Sequence, residues 1–154
     1  NIWLPMKGML PSEVFFLKPN PDITLTSPSS AQIPVTVGGY QVSDKGLYID
    51  SGRGFTVSSV IKPDFVAPAV NVQGGGVRDN YVTASGTSVA AAVTAGACAQ
   101  IMEWGIYRQE NLALNSVEIG NLLIHGCDRS RDLVYPNTAW GYGRLDAYQA
   151  ILAL

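Results

Sequence analysis

One stretch, Tyr81 to Trp104, constrains the fold of this chain more than any other. It begins with a short β-prone run, turns at Gly86, and then contains no strong helix breaker except Gly96. From Ser88 to Glu103 nearly every side chain is Ala, Val, Ile, Met, Thr or Cys. A helix that is apolar on all sides belongs inside a domain rather than on its surface. The stretch therefore predicts a buried central helix, too short and too interrupted to cross a membrane.

Ser88 lies in the first turn of this predicted helix, directly after a glycine and a threonine. First-turn N–H groups have no partner within a helix, and the helix dipole places partial positive charge there. An oxyanion forming beside Ser88 would meet donors already aimed at it. The alternative is an ordinary N-cap, because serine and threonine are favoured at helix starts. Position alone favours the cap.

Three segments change that balance because they resemble the subtilisin-like serine proteases, the subtilases. Gly86-Thr87-Ser88-Val89-Ala90 resembles the nucleophile motif, Lys62 to Pro68 the segment that precedes it, and Trp140 to Ala147 the closing strand-turn-helix. The resemblance implies an α/β fold. The chain would be the C-terminal half of a three-layer domain, with a parallel sheet and a central buried helix carrying the serine.

Finer features are similar to the clostridial Csp-type branch, whose members act on spore cortex enzymes. These features are Pro21 to Thr26, Ser51 to Phe55 and Tyr135 to Asn137. The branch would imply a bacterial extracellular or spore-associated protein. Residues 1–32 are rich in proline, which excludes a long helix or a central strand. Members of the Csp-type branch carry a sizeable β-domain inserted into the protease. The resemblance therefore implies that residues 1–32 are a connecting segment returning from such a domain, and that residues 33–154 are the C-terminal part of the catalytic domain.

Composition limits the remaining classes of function. The chain has 154 residues, 47% of them hydrophobic, which suits one domain with a sizeable core. A formal net charge of −2 without a basic run argues against a nucleic-acid partner. Cys98 and Cys127 show no metal-ligand spacing, and we expect both thiols to stay free. We predict no metal and no cofactor, although subtilases often bind structural calcium.

The resemblance assigns the chemistry to a few residues. Ser88 would be the nucleophile and its backbone N–H an oxyanion donor, while Gly86 and Thr87 shape the approach of the substrate, a protein or peptide. Subtilases carry their triad in the order Asp, His, Ser, so the Asp, the His and the oxyanion Asn would come from an upstream portion of the same protease. The isolated chain should then be inactive. Asp50-Ser51-Gly52 spells the short aspartate motif, but it lies too close to Ser88 with no histidine between.

Other functions remain open at this point. His125, the only histidine, could act as the base of a different hydrolase class in which the order is Ser, acid, His. Its place at a helix end before Gly126 favours a cation at the helix C-terminus instead. The parent could also be a pseudoprotease that binds a partner without catalysis. An autonomous structural module is the third possibility, and poor solubility is expected of it because the central helix would lack half its cover.

The pattern also predicts the smaller elements. Strands are expected at Ile33 to Tyr40, Leu47 to Ile49 and Val70 to Gln73, with a flexible turn at the glycines that follow. Gly105 is a plausible C-cap of the central helix. A helix at Ser116–Ile124 would start with a capping box and bury Val117, Gly120, Leu123 and Ile124, and a last helix at Asp146–Ala153 would turn Leu145, Ile151 and Leu152 inward. Ala69 stands where subtilases usually have glycine, so a strained or altered turn is expected there.

Overall fold

The fold is taken from a computed structural model that describes residues 4, 9–107 and 114–153. Four short strands and three helices make up its regular structure. They are β1 (Val37–Tyr40), β2 (Phe65–Pro68), β3 (Val72–Gly75), β4 (Tyr81–Ala84), α1 (Thr87–Tyr107), α2 (Ser116–Gly126) and α3 (Ala147–Leu152). Residues 9–34 contain neither a helix nor a strand, as the density of prolines predicts.

The parallel pair β1–β2 forms the centre of the fold, with Val37 opposite Phe65 and Tyr40 opposite Pro68. Both outer edges of the pair are covered. Ser51 Oγ accepts a hydrogen bond from Gly39 N–H at 3.0 Å on the β1 side. On the β2 side, Leu145 N–H donates to Val66 O at 2.8 Å. The mixed α/β architecture with a parallel sheet is therefore confirmed.

A buried ion pair holds the start of both strands together. Lys62, only 2% exposed, donates from Nζ to Asp64 Oδ2 at 2.7 Å and to Pro34 O at 2.8 Å. The same carboxylate oxygen accepts from Thr36 N–H at 2.6 Å. Because the carboxylate and the ammonium are both bonded, neither charge is left unpaired in the interior. The pair ties the chain ahead of β1 to the chain ahead of β2.

The central helix buries one stripe only. Its buried positions contact β1, β2 and α3, and they are Ala90, Thr94, Ala97, Ile101 and Gly105. The opposite face is exposed although it is almost as apolar: Ala91, Ala92, Ala95, Gly96, Ala99, Gln100, Met102, Glu103, Ile106 and Tyr107. Within the described residues α1 is thus not buried on all sides. Its exposed side has no cover among the described residues.

Helix α1 is also longer than predicted. Its 21 residues are long and apolar enough to span a membrane, so the sequence-based exclusion on length was wrong. Its buried stripe nevertheless packs against a sheet, as core helices of soluble domains do. Gly105 is no C-cap, because the helix continues to Tyr107 and a Cβ at Gly105 would lie 2.9 Å from the Leu114 side chain. This glycine allows a close approach instead of ending the helix.

Helices α2 and α3 complete the main core. Asn115 accepts from Val117 and Glu118 N–H while Glu118 accepts from Asn115 N–H, which confirms the capping box. The buried face of α2 is shifted from the prediction: Ile119 is buried and Val117 is 56% exposed. Leu145 and Ile151 pack on the core as predicted, whereas Leu152 of α3 is 61% exposed. The main cluster consists of Phe65, Ala97, Ile101, Ile119, Leu123, Cys127 and Ala150.

Two of the three predicted strands, β1 and β3, are present but differ in extent, and the one predicted at Leu47 to Ile49 was wrong. The first strand starts only at Val37, because Thr36 and Pro34 are engaged by the Lys62–Asp64 pair. Leu47 makes a single bridge to Tyr40 and forms no strand. The glycines after Val72 extend β3, which pairs antiparallel with β4 in an exposed hairpin. Strand β2 was not predicted as a strand.

Candidate active site

The hairpin β3–β4 leads directly into the site. After Ala84 the chain turns through Gly86, whose φ of +148° disfavours any residue with a side chain. The Gly86 carbonyl accepts from Val89 N–H at 3.0 Å and from Ala90 N–H at 3.3 Å. Gly86 therefore occupies the N-cap position, since the cap carbonyl accepts the first intrahelical bond. Ser88 lies inside the first turn, so the simple N-cap interpretation of Ser88 was wrong.

The Ser88 side chain is exposed, two residues beyond that cap. Among the described residues, no hydrogen bond engages its hydroxyl. The Thr87 and Ser88 N–H groups precede the first intrahelical bonds and point out of the positive end of a 21-residue helix. A hydroxyl oxygen and unpaired donors therefore share one helix end.

A cavity of about 540 Å³ opens beside this helix start. Thr87 forms part of its wall, and Asp50 and Arg53 supply one carboxylate and one guanidinium. Half of the other lining residues bear hydroxyls, namely Thr24, Thr26, Ser29, Thr36 and Ser51. The cavity brings the sequence-predicted Thr87 together with the loop around Ser51, which sequence reasoning had treated as unrelated.

Two hydrogen bonds anchor the chain just ahead of Ser88. Gly86 N–H donates to Ala69 O at 2.8 Å, and Asn71 N–H donates to Ser85 Oγ at 2.9 Å. Ala69 is fully buried and donates from its own N–H to Tyr40 O at 2.9 Å. Its φ is not positive, and the left-handed residue of this turn is Asn71, with φ of +53°. Ala69 is therefore not strained by its φ.

His125 belongs to another part of the molecule. It is exposed in the last turn of α2 and lines a cavity with Cys127, Asp128 and Asp146, while Thr87 lines a different cavity. The helix-end interpretation of His125 agrees with this position. Asp50 is also exposed, and the Asp50 carboxylate raises the pKa of Tyr48 by accepting its hydrogen bond. The arrangement pairs neither residue with Ser88.

Both cysteines are free thiols. Cys127 is buried and donates from Sγ to Leu123 O at 3.2 Å. Burial raises the pKa of Cys127 to about 12, and burial likewise raises the pKa of the half-buried Cys98. Within the part of the chain that the structure describes, no three His, Cys, Asp or Glu side chains are grouped to hold a metal ion.

Comparison with known proteins assigns the chain to a family. The sequence profile of the subtilase family matches residues 17–143, which is most of the chain. The chain belongs to the subtilase family. Ser88 and the two residues ahead of it lie within the matched range, as do the Lys62–Asp64 pair and the loop at Ser51.

Individual relatives agree with this assignment. The serine protease AprX of Bacillus subtilis (strain 168) is 30% identical over 148 residues, covering 83% of this chain and 32% of AprX. The structure of the Clostridium perfringens CspB protease superposes with a TM-score of 0.82 at 35% identity, over 88% of this chain and 30% of that protein. This likeness supports the Csp-type branch. The prenylagaramide maturation protease PagA, at 22% identity and a TM-score of 0.69, shows the shared fold alone.

This subtilase chain spans about a third of the length of AprX and of the CspB protease. Sequence reasoning identified Ser88, Thr87 and Gly86 as one unit but missed Ser85 and Asn71. The signal for Ser85 was weak, because one more serine in a turn beside a helix is common. The contact joins residues 14 positions apart and has no local pattern.

Proposed function

We propose that this chain supplies the nucleophile half of a serine endopeptidase that cleaves peptide bonds through an acyl-enzyme. The observation that carries the proposal is the exposed hydroxyl of Ser88 at the positive end of α1, two residues after a glycine that caps the helix. In this mechanism Ser88 Oγ attacks the scissile carbonyl carbon while a histidine takes its proton. The amine then leaves with that proton, and water hydrolyses the resulting ester.

The Ser88 backbone N–H would donate to the oxyanion that forms during the attack. Its charge develops at the point where the dipole of α1 is positive, and a fixed donor there needs no reorganisation. Gly86 keeps the approach open, since it has no side chain between the substrate and the loop. Thr87 would border the substrate through the 540 Å³ cavity.

The histidine, the aspartate and the oxyanion asparagine would come from an upstream portion of the same protease. Two observations support this. The sole histidine of the chain lines a cavity away from Thr87. The exposed face of α1 is apolar except for Ser88, Gln100 and Glu103, and it needs a partner because water contacts with apolar side chains are unfavourable. A chain limited to residues 1–154 is then inactive or nearly so.

A fluorophosphonate probe tests the proposal, because it reacts only with an activated serine. We expect the longer protease containing this chain to be labelled rapidly and residues 1–154 alone to be labelled at least about 10³-fold more slowly. Ser88→Ala should abolish labelling in the longer protein. Ser116→Ala is a matched control, because Ser116 is also an exposed first-turn helix serine.

Each contrary result has a distinct meaning. Fast labelling of residues 1–154 that disappears in Ser88→Ala would reveal a base within this chain. Full labelling of the longer protein after Ser88→Ala would refute Ser88 as nucleophile. A longer protein that folds, binds peptides and is never labelled would be a pseudoprotease.

A further inference from the structure

We infer that Ser85 is a positioning residue for the nucleophile, acting through its hydroxyl on the orientation of the first turn of α1. The inference rests on the function proposed above for Ser88. The observation behind it is the hydrogen bond of 2.9 Å from Asn71 N–H to Ser85 Oγ, three residues before the nucleophile.

The turn ahead of α1 follows the β3–β4 ladder, in which Ala84 pairs with Val72. Two further hydrogen bonds hold the turn itself, the Gly86 N–H bond to Ala69 O at 2.8 Å and the Asn71 N–H bond to Ser85 Oγ at 2.9 Å. The Ser85 bond extends the hairpin contact by one residue, and the Gly86 bond joins the turn to the chain that follows β2. Together they set the direction in which the first-turn N–H groups and the Ser88 side chain point.

The segment from Ala69 to Asn71, which takes part in both bonds, is itself rigid. Ala69 is fully buried, and its Cβ fills the space beside Gly39, where an added Cβ would lie only 2.5 Å away. Its N–H donates to Tyr40 O at 2.9 Å, at the end of β1. Asn71, whose N–H donates to Ser85 Oγ, has a left-handed φ of +53°. The position of the nucleophile is therefore fixed relative to the end of the β1–β2 pair.

Gly86 transmits this orientation to the helix. Its carbonyl accepts from Val89 and Ala90 N–H, so any rotation of residues 85–86 tilts the first turn. Nucleophilic attack depends on a near-attack geometry, and small displacements of the reacting oxygen are amplified in the rate. Because Ser85 and Asn71 are both exposed, water replaces the lost bond in a variant without the hydroxyl. The protein should then keep its stability and lose only the orientation.

Ser85→Ala in the longer protease tests the inference. We expect the rate constant for fluorophosphonate labelling and the kcat for a peptide substrate to fall about three- to tenfold, the size expected for one exposed hydrogen bond. KM and the melting temperature should stay within error. Ser85→Thr keeps a hydroxyl and should restore most of the rate, while Ser116→Ala should change nothing.

The outcomes separate this inference from the proposed function. Wild-type labelling that disappears in Ser88→Ala, together with an unchanged rate in Ser85→Ala, would overturn the role of Ser85 and leave that of Ser88 intact. Equal losses in Ser85→Ala and Ser85→Thr would also overturn it, because the hydroxyl would then be irrelevant. Lower melting temperature with an unchanged rate in the folded protein would assign Ser85 a purely structural role.

Discussion

Helices α1 and α2 both carry apolar side chains that are more stable away from water, and this chain shields them to different extents. The exposed side of α2 is polar except for Val117, the other exposed positions being Ser116, Glu118, Asn121 and His125. Among the exposed positions of α1 only Gln100 and Glu103, besides Ser88, carry polar side chains. Helix α2 is complete within this chain, since its apolar residues other than Val117 are at least partly buried and its polar ones face water. Helix α1 is complete only with a second apolar layer, which we attribute to the upstream portion.

The largest expected difference between the two helices comes from placing a charge on the exposed face of each. In the longer protease, Ala95→Glu on α1 should lower the free energy of unfolding by about 3–5 kcal/mol, because an unpaired carboxylate would be buried under the second layer. Asn121→Glu on α2 should change it by less than about 0.5 kcal/mol. Denaturant unfolding measures both. Equal tolerance of the two charges would mean that the α1 face stays in water.

Adjacent residues on α1 give the next largest contrast. Ile101 is fully buried in the main core, and Met102 is 46% exposed on the opposite face. Within residues 1–154, Ile101→Ala should reduce the free energy of unfolding by about 2–5 kcal/mol through lost burial and a cavity. Met102→Ala should reduce it by less than about 1 kcal/mol. In the longer protein the two effects should converge, and a persistent difference would argue against a second layer on Met102.

The starts of the two helices provide a smaller test. Helix α2 is capped by a side chain, Asn115, whereas α1 is capped by the backbone of Gly86. Asn115→Ala should destabilise the protein by about 1 kcal/mol, since two N–H groups lose their acceptor. Asn121→Ala is the control within the same helix. Similar melting curves for the two variants would show that water replaces the cap without loss.

Ionisation of the Cys127 thiol gives the smallest expected change in the free energy of unfolding, and this change depends on pH. The pKa of Cys127 is about 12 in the folded protein and near 9.0 when exposed, so the unfolded chain loses the proton first. The contribution of the buried Cys127 thiol to the free energy of unfolding is complete below pH 9 and is lost as the pH rises towards 12. At pH 9.5 the loss should be below about 1 kcal/mol. Cys127→Ala should flatten the stability profile in this range, and an unchanged slope would point to other groups.

Reagent access separates the thiols further. Cys98 is half-buried on α1 and Cys127 is buried after α2, and burial raises the pKa of each. In residues 1–154 at pH 8, a thiol reagent should modify Cys98 first and Cys127 only on unfolding. Mass spectrometry after timed alkylation identifies the modified residue. Faster reaction at Cys127 would contradict its packing against α2.

Local signals were sufficient for part of the fold. The capping box at Asn115 and Glu118 lies within four residues, so side-chain chemistry alone reveals it. The buried face of α2 was misplaced because Ile119 and Val117 are both strongly apolar, and only packing into the main core with Phe65 and Ile101 distinguishes them. The extent of β1 depended on the Lys62–Asp64 pair, which acts across 28 residues and leaves no periodic trace. Strand β2 was missed for a related reason, since its hydrogen-bonding partners lie far away in the sequence.

The amino-acid sequence by itself determined the character of α1, the glycine at its start and the serine in its first turn, because composition and spacing act over neighbouring residues. It also determined the family, through three segments in a fixed order. Only the tertiary structure decided which face of α1 is buried, that Gly86 rather than Ser88 caps it, and that Ser85 meets Asn71. These are contacts between distant parts of the chain, and they depend on the packing of the strands and helices around them.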